Sequence, residues 1–468
     1  MKKLIACILI PLIIWFIPAA WIPIEGMTVV EHRMLAIFIL AILFWVLEPV
    51  PIFATSVLLI GLQLVLISDK GLIWFRGGEE IENFGTLLSY KALLGTFSSP
   101  IIMLFLGGFF LAMAATKYRL DTNLARVFLK PFGENPRIVL LGLMLITGVF
   151  SMFISNTATT ALMLAILTPL LKSFHKDDPG RTAFVLCIPF AANVGGIGTP
   201  IGTPPNAVAM KYLTGENAVS FAEWMLFGVP FALVTLCIVW WLLLRFCPPK
   251  EKSMELTIKG TFDKSFRAWL VYLTFTATIL LWLTSALHGM NSYVVAMFPV
   301  VVFVVTQTIT KSDLKRISWD VLWLLSGGIA LGLGLEETGL SRHMVDSVPF
   351  DSFSPAVIVV LVTLLALAMS TFISRTATAN LLIPIVAALG SSLTTLDSLG
   401  GTRLLVIAVA VSCSLAMALP ISTPPNAMAY ATGQVDTRTM LVAGLSTSVV
   451  GMLMLYALIP VLSLAGFV

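Results

Sequence analysis

Residues 154–162 read ISNTATTAL, and residues 373–381 read ISRTATANL. The same hydroxyl-rich phrase therefore occurs twice in a chain that is otherwise strongly apolar. Each copy lies near the middle of an apolar stretch, at 137–173 and 354–390. Irregular backbone at membrane depth persists only beside protein or a water-filled cavity. We therefore predict two re-entrant hairpins, each with the phrase near its tip.

The composition is that of a membrane protein. The chain has 468 residues, of which 58% are hydrophobic and 11% are charged, and its mean hydropathy is +0.99. Soluble domains contain about 25% charged residues, so a large soluble helical protein is excluded. The apolar runs are about 20 residues long and do not alternate with period 2, which favours helices over a β-barrel.

Scattered cysteines and histidines indicate neither a disulfide framework nor a metal cluster.

The net charge of +4 follows from membrane topology and requires no nucleic-acid partner. With the N-terminus cytoplasmic, the C-terminus outside and each hairpin returning to its own side, twenty of the 28 basic residues fall inside and seven outside. This bias satisfies the positive-inside rule.

The predicted fold is an all-α polytopic membrane protein with about 11 transmembrane helices plus the two hairpins. The first crossing, which follows Lys2 and Lys3, is interpreted as an uncleaved span rather than a signal peptide. The predicted crossings are 4–22, 30–48, 52–68, 97–118, 182–212, 221–246, 267–288, 291–310, 319–340, 403–431 and 438–466.

An internal repeat links the two halves of the chain at a nearly constant offset. Between the copies lie five predicted crossings, and an odd number turns the second copy upside down. Inverted repeats with broken helices are typical of secondary transporters, whose binding site lies near the membrane midplane. The matched phrases are Gly107–Phe109 with Gly327–Ile329, Ser155–Thr157 with Ser374–Thr376, and Thr203–Ala207 with Thr423–Ala427.

Each half also contains a Pro-Pro pair inside an apolar span, in GTPPNA at 202–207 and STPPNA at 422–427. Proline removes a helix donor and clashes with the preceding turn, so both spans are predicted to break there. The break frees carbonyl groups that can bind a cation. It also creates a helix N-terminus near Asn206, where N–H groups favour an anion.

The residue types of the repeated phrase fit two kinds of ligand. Its neutral hydroxyl and amide oxygens suit Na⁺, and its hydroxyl and amide donors suit a carboxylate. Thr159 and Thr160 are interpreted as helix-packing residues. Asn156, which lies between Ser155 and Thr157 and has a counterpart 219 residues later, is interpreted as a binding residue.

Paired SNT phrases, each followed by a TPPN break, resemble the divalent-anion:sodium symporter (DASS, or INDY-type) family over essentially the whole chain. The resemblance implies a homodimer in the lipid bilayer, with a scaffold and an elevator-type transport domain, and substrates that are di- or tricarboxylates. The corresponding domains are N-terminal scaffold helices at 1–96, a first inverted repeat at 97–220, central scaffold helices and a cytoplasmic loop at 221–310, and a second inverted repeat at 319–466.

The resemblance assigns the first phrase to one Na⁺ and one substrate carboxylate. Ser155, Asn156 and Thr157 are the corresponding residues, and Ser151 and the Gly202 carbonyl are the further expected Na⁺ ligands. The TPPN segments are expected to line the same cavity through Thr203, Pro204, Asn206, Thr423, Pro424 and Asn426.

The second phrase is expected to hold a second Na⁺ with Ser374, Thr376, Ser370 and the Ser422 carbonyl, but Arg375 stands where that phrase should have asparagine. A guanidinium has no acceptor and cannot ligate Na⁺. Arg375 could bind a substrate carboxylate, could replace the second Na⁺ as a fixed cation, or could only tune the field from a vestibule. A charge at membrane depth costs about 3 kcal/mol or more and is by default functional.

The predicted function is secondary active transport of dicarboxylates such as succinate, malate, fumarate or oxoglutarate across the bacterial inner membrane. Na⁺ is the expected coupling ion, and the first of its two sites is the intact one. The alternatives are a Na⁺-independent dicarboxylate or citrate exchanger, in which Arg375 replaces the second sodium, and an anion channel. An enzyme is not expected, because no histidine or aspartate lies near Ser155 or Ser374 in the sequence.

Overall fold

The computed structural model describes residues 2–24, 26–77, 83–171, 174–175, 177–254 and 262–467. Throughout these residues the chain forms helices joined by loops, with an isolated β-bridge between Ser68 and Leu88. The prediction of an all-α protein is therefore confirmed. The last residues of the predicted first hairpin, 172–173, and residues 255–261 of the predicted cytoplasmic loop lie outside the described residues.

Eleven α-helices occupy the described part of residues 2–246. They are α1 (Lys2–Phe16), α2 (Val29–Leu47), α3 (Ile52–Leu66), α4 (Tyr90–Gly95), α5 (Pro100–Lys117), α6 (Leu120–Leu129), α7 (Pro136–Phe153), α8 (Asn156–Leu170), α9 (Gly180–Gly195), α10 (Pro204–Tyr212) and α11 (Phe221–Phe246).

Eleven more follow in the described part of residues 262–467. They are α12 (Phe266–Leu283), α13 (Ser285–His288), α14 (Ser292–Val305), α15 (Lys311–Leu314), α16 (Trp319–Thr338), α17 (Leu340–Asp346), α18 (Pro355–Phe372), α19 (Arg375–Ser392), α20 (Gly401–Ser414), α21 (Pro424–Ala431) and α22 (Thr437–Leu464). Short 3₁₀ turns include Gly196–Gly198 and Pro420–Ser422.

Nine helices in the described part of the chain are long and apolar enough to cross a membrane. Five shorter apolar helices accompany them, among them α8, α14 and α20. The predicted first span, 4–22, is covered by α1 only as far as Phe16, and a short 3₁₀ turn follows after Pro18. A proline fixes its own φ and disfavours helix in the preceding residue, which accounts for the early end.

The helices break at matched places in the two halves. Ile154 is extended between α7 and α8, and Ile373 is extended between α18 and α19. α9 gives way to a glycine-rich turn before Pro204 opens α10, and α20 gives way to a loop before Pro424 opens α21. Proline at the first helical position is tolerated because its missing N–H would have no intrahelical partner there.

The Gly-Gly pairs at corresponding positions of the two halves both allow close contacts between helices. A Cβ atom on Gly107 of α5 would clash with the Ala296 carbonyl oxygen of α14. A Cβ atom on Gly327 of α16 would clash with the Ser56 Cβ of α3. Both pairs of helices therefore approach more closely than any larger residue would permit, as small residues allow in membrane proteins.

α9 is buried along almost its whole length. It packs against α7, α8 and α11 and also against α21, while α10 packs against α19 and α20. Each broken helix therefore contacts both halves of the chain. This arrangement brings the two repeated phrases and the two Pro-Pro breaks together around α9.

Candidate binding site at the hairpin tips and helix breaks

The break between α7 and α8, which is the predicted tip of the first hairpin, is held by a hydroxyl of the preceding helix. Ser151 Oγ lies 2.6 Å from the Asn156 amide oxygen and 2.8 Å from the Ala192 carbonyl oxygen of α9. Both Ser151 and Asn156 are buried. Ser155 caps α8 by accepting a hydrogen bond from the Ala158 N–H at 3.2 Å. Ser155 and Thr157 are both exposed. The tip therefore presents hydroxyl groups outwards and one amide inwards.

Oxygen atoms converge beside this amide around the α-carbon of Gly196, a place that we call the notch. A Cβ atom built on Gly196 would be 2.8 Å from Asn156 Oδ1 and 2.9 Å from the Gly202 carbonyl oxygen. The two oxygens therefore face one small space, next to the Ser151 hydroxyl. Three of the predicted Na⁺ ligands, Ser151, Asn156 and Gly202, are thus brought together. Neutral oxygens gathered around so small a space are a donor set that suits a hard cation.

The first Pro-Pro break is fixed by Asn206. Its amide nitrogen donates to the carbonyl oxygens of Gly196, Ile197 and Thr199, at 3.2, 3.4 and 2.8 Å. Its amide oxygen and the Thr203 hydroxyl are buried and have no hydrogen-bond partner within the described residues. A buried polar atom without a partner costs about 1–3 kcal/mol, so these atoms are suited to a bound ligand or water.

Arg375 is the first residue of α19 and points into the protein. It is only 8% exposed. Its Nη1 donates to the Ser414 carbonyl oxygen at 3.1 Å, and its Nη2 donates to the Asn193 amide oxygen at 3.0 Å. Both partners are neutral, and none of the ion pairs found among the described residues includes Arg375. A buried positive charge therefore remains unbalanced at this tip.

The second Pro-Pro break is tied to the same network. Asn193 donates to Thr423 Oγ1 at 3.2 Å and to Asn426 Oδ1 at 3.1 Å. Asn426 in turn donates to the carbonyl oxygens of Met417 and Leu419, at 2.8 and 3.1 Å, as Asn206 does in the first half. Pro204 is half-buried and Pro424 is exposed.

The other residues predicted for a second Na⁺ site are Ser370, Ser374, Thr376 and the Ser422 carbonyl. The Ser422 hydroxyl, which is not the predicted ligand, donates to the Thr371 carbonyl oxygen at 2.8 Å. Ser370 and Thr376 are buried, and Ser374 is half-buried. The oxygens that accept hydrogen bonds from the guanidinium are those of Asn193 and Ser414.

Comparison with known proteins agrees with this architecture. The family model described as the sodium:sulfate symporter transmembrane region matches residues 1–463. The chain belongs to this family, the divalent-anion:sodium symporters. It is therefore an integral membrane transporter and not an enzyme.

Two relatives of this chain are named as sodium-dependent dicarboxylate transporters. A protein from Staphylococcus saprophyticus named sodium-dependent dicarboxylate transporter SdcS is 30% identical over 472 residues, covering 91% of this chain and 86% of that protein. A protein of the same name from Staphylococcus aureus (strain bovine RF122) is 29% identical over 485 residues, covering 94% and 87%. The YdaH transporter of Alcanivorax borkumensis, a crystal structure, shares the fold with a TM-score of 0.57 at 13% identity, covering 92% of this chain and 99% of that one.

Two features of the site in this symporter-family chain were missed from the sequence. Asn193 lies in the apolar stretch IPFAANVGG and has no counterpart in the repeat, since the residue 220 positions later is Cys413. Gly196 belongs to none of the repeated phrases and is not among the predicted site residues. Thr159 and Thr160, interpreted as packing residues, are buried with hydroxyl groups that find no hydrogen-bond partner in the described part of the chain. A buried amide two residues before a Gly-Gly pair was the available signal.

Proposed function

We propose that this protein is a secondary active transporter that carries dicarboxylate anions across the bacterial inner membrane, coupled to Na⁺ through one ion site. The observation that carries the proposal is Arg375, a buried cation with only neutral partners at the tip of the second hairpin. The names of the staphylococcal relatives support both the dicarboxylate and the sodium.

The intact sodium site is assigned to the first half. Ser151, Asn156 and the Gly202 carbonyl supply oxygens around the notch at Gly196, and Ser155 belongs to the same tip. These ligands carry no charge, so a bound Na⁺ would bring a net positive charge to the first tip. That charge would attract one carboxylate of the substrate, to which Thr157 and the Asn156 amide can donate.

Arg375 supplies the corresponding charge in the second half. Its guanidinium donates hydrogen bonds to two neutral oxygens, Ser414 O and Asn193 Oδ1. A sodium ion would use oxygens of the same kind as ligands. A guanidinium has five N–H donors, so the donors that remain are suited to a substrate carboxylate. We therefore assign Arg375 as a fixed cation that replaces the second Na⁺ and faces the second carboxylate, with Ser374, Thr376, Thr423 and Asn426 around it.

The wider architecture that we propose follows the repeat. Inverted repeats at 97–220 and 319–466 would move as a transport domain, elevator-fashion, against scaffold helices in 1–96 and 221–310. The N-terminus would be cytoplasmic, the C-terminus outside, and the protein a homodimer. The contacts of α10 with α19 and α20, and of α21 with α8 and α9, support two halves that share one site.

The second candidate is a Na⁺-independent exchanger. The charge of Arg375 persists when substrate leaves, and an unbalanced charge resists crossing the membrane. An empty carrier of this kind would return slowly, whereas a carrier loaded with a second anion would return readily. The contacts of the guanidinium that support its replacement of a sodium ion therefore also support an exchange mechanism.

Uptake of labelled succinate into proteoliposomes tests the proposal and separates the candidates. We expect saturable uptake that an inward Na⁺ gradient accelerates and that internal unlabelled dicarboxylate accelerates further. Uptake that requires internal dicarboxylate and ignores Na⁺ would identify the exchanger. Flux that never saturates and shows no counterflow would contradict a carrier and indicate a channel.

A further inference from the structure

Asn193 is a fully buried amide near the end of α9, outside every repeated motif. Its oxygen accepts a hydrogen bond from Arg375, and its nitrogen donates to Thr423 and Asn426. One side chain of the first half therefore holds both the hairpin tip and the Pro-Pro break of the second half. The preceding residue, Ala192, accepts from Ser151 at the other tip.

The orientation of the Asn193 amide follows from the chemistry of its partners. A guanidinium can only donate, so the group that faces Arg375 must be the amide oxygen. The Asn426 amide nitrogen donates to two backbone carbonyls, so its oxygen must face Asn193. The amide nitrogens of Asn193 and Asn426 thus each donate to two acceptors, and the Asn193 side chain cannot flip without placing N–H groups against the guanidinium.

The neutrality of Asn193 is as important as its position. An aspartate would have the same shape and could accept from the same Arg375 nitrogen, and the bond would then join two ionised groups of opposite charge instead of one. Such a pair would balance the buried charge within the protein. The amide instead orients the guanidinium and leaves its charge unbalanced.

We infer that Asn193 is the positioning residue of Arg375: it orients the guanidinium towards the substrate and, because it is neutral, keeps the positive charge available to a carboxylate. This inference rests on the proposed function. It adds that the identity of residue 193 sets both the affinity for the dicarboxylate and the tendency of the carrier to exchange rather than return empty.

The second half of the chain has no residue equivalent to Asn193 in this role. At the repeat offset of 220, Asn193 corresponds to Cys413, whose thiol cannot replace an amide that accepts and donates at once. Arg375 has no counterpart in the first half either, since Asn156 stands there. The arginine and its positioning residue therefore form a pair that departs from the symmetry of the repeat together.

The test is Asn193→Asp in proteoliposomes, with labelled succinate. We expect the apparent KM for succinate to rise about tenfold or more, because the introduced carboxylate competes for Arg375. We also expect efflux into substrate-free medium to rise relative to efflux into medium that contains unlabelled succinate, because the empty site is now neutral. Asn291→Asp, on an exposed helix cap, is the control for an added carboxylate and should match the wild type.

Two further variants separate charge from packing. Asn193→Leu keeps the size of the side chain without charge and should retain the efflux ratio of the wild type, whatever its effect on KM. In an Arg375→Asn background, Asn193→Asp should change the KM less than about threefold, because the two residues act as a unit.

The inference is overturned if Asn193→Asp keeps the KM and the efflux ratio of the wild type, or if Asn193→Leu raises the efflux ratio as much as Asn193→Asp does. If the wild type itself carries no succinate, the proposed function fails instead. Thermal melting of each purified variant establishes that it is folded before transport is compared.

Discussion

Gly196→Ala tests the assignment of the first sodium site. Gly196 has ordinary helical backbone angles, φ −57° and ψ −21°, so an alanine causes no backbone strain there. Its methyl group would fill the notch, at 2.8 Å from Asn156 Oδ1, 2.9 Å from the Gly202 carbonyl oxygen and 3.1 Å from Asn156 Nδ2. These distances are shorter than the about 3.5 Å at which carbon contacts become favourable, so the oxygens must separate.

The magnitude follows from the cost of overpacking. Inserting a methyl group into a well-packed site costs about 1–3 kcal/mol. If that cost falls on the ion-bound state, the affinity for Na⁺ drops about 5- to 150-fold. We therefore expect the Na⁺ concentration for half-maximal succinate uptake to rise by a factor in this range, with a smaller change in the succinate KM at saturating Na⁺.

The assay is initial uptake into proteoliposomes over a series of external Na⁺ concentrations. Gly61→Ala is the matched control, because a Cβ atom there meets nothing within 4 Å. It should leave the Na⁺ dependence unchanged. A Gly196→Ala variant that melts like the wild type and is half-activated within about twofold of the same Na⁺ concentration would refute the sodium site at this notch.

Two other predictions concern single side chains. Ser151→Ala removes the hydroxyl that contacts Asn156. The variant loses a hydrogen bond worth about 1 kcal/mol and one ligand of the ion. The Na⁺ concentration for half-maximal uptake should therefore rise about fivefold or more in the same assay. Asp313 lies in the short helix α15; burial opposes its ionisation, but hydrogen bonds from Lys117 and Thr310 lower its pKa from 3.8 to about 2. Its folded pKa is depressed, so its contribution to stability is present above about pH 4 and is lost as the pH falls towards 2. Asp313→Asn should therefore melt below the wild type at pH 7, and the difference should shrink in melting curves recorded between pH 4 and 2; a difference that stays constant with pH would contradict this.

Features that depend on local chemistry were predictable from the sequence. α11 spans residues 221–246, as predicted, since its start is fixed by a capping box between Ser220 and Glu223. The Pro-Pro pairs likewise place the start of α10 and α21. The amphipathic helix α6, residues 120–129, is not among the predicted crossings, because its charged residues mask a short helix.

Features that depend on how the two halves meet were not predictable. The contact between Asn193 and Arg375 joins residues 182 positions apart, and neither has a matching partner in the repeat. The convergence of Asn156 and the Gly202 carbonyl at Gly196 depends on the path of a loop. The sequence therefore indicated the residue types of the site, and tertiary packing decided which of them pair.

Arg375→Asn tests the central claim most directly, because it restores an SNT phrase in the second half while removing the fixed cation. Labelled succinate uptake should be measured over a range of Na⁺ concentrations for the variant and the wild type. If Arg375 replaces a sodium ion, uptake by the variant will depend more steeply on Na⁺ and will recover at high Na⁺. If the folded variant fails to bind or carry succinate at every Na⁺ concentration, the claim that the guanidinium stands in for a sodium is contradicted.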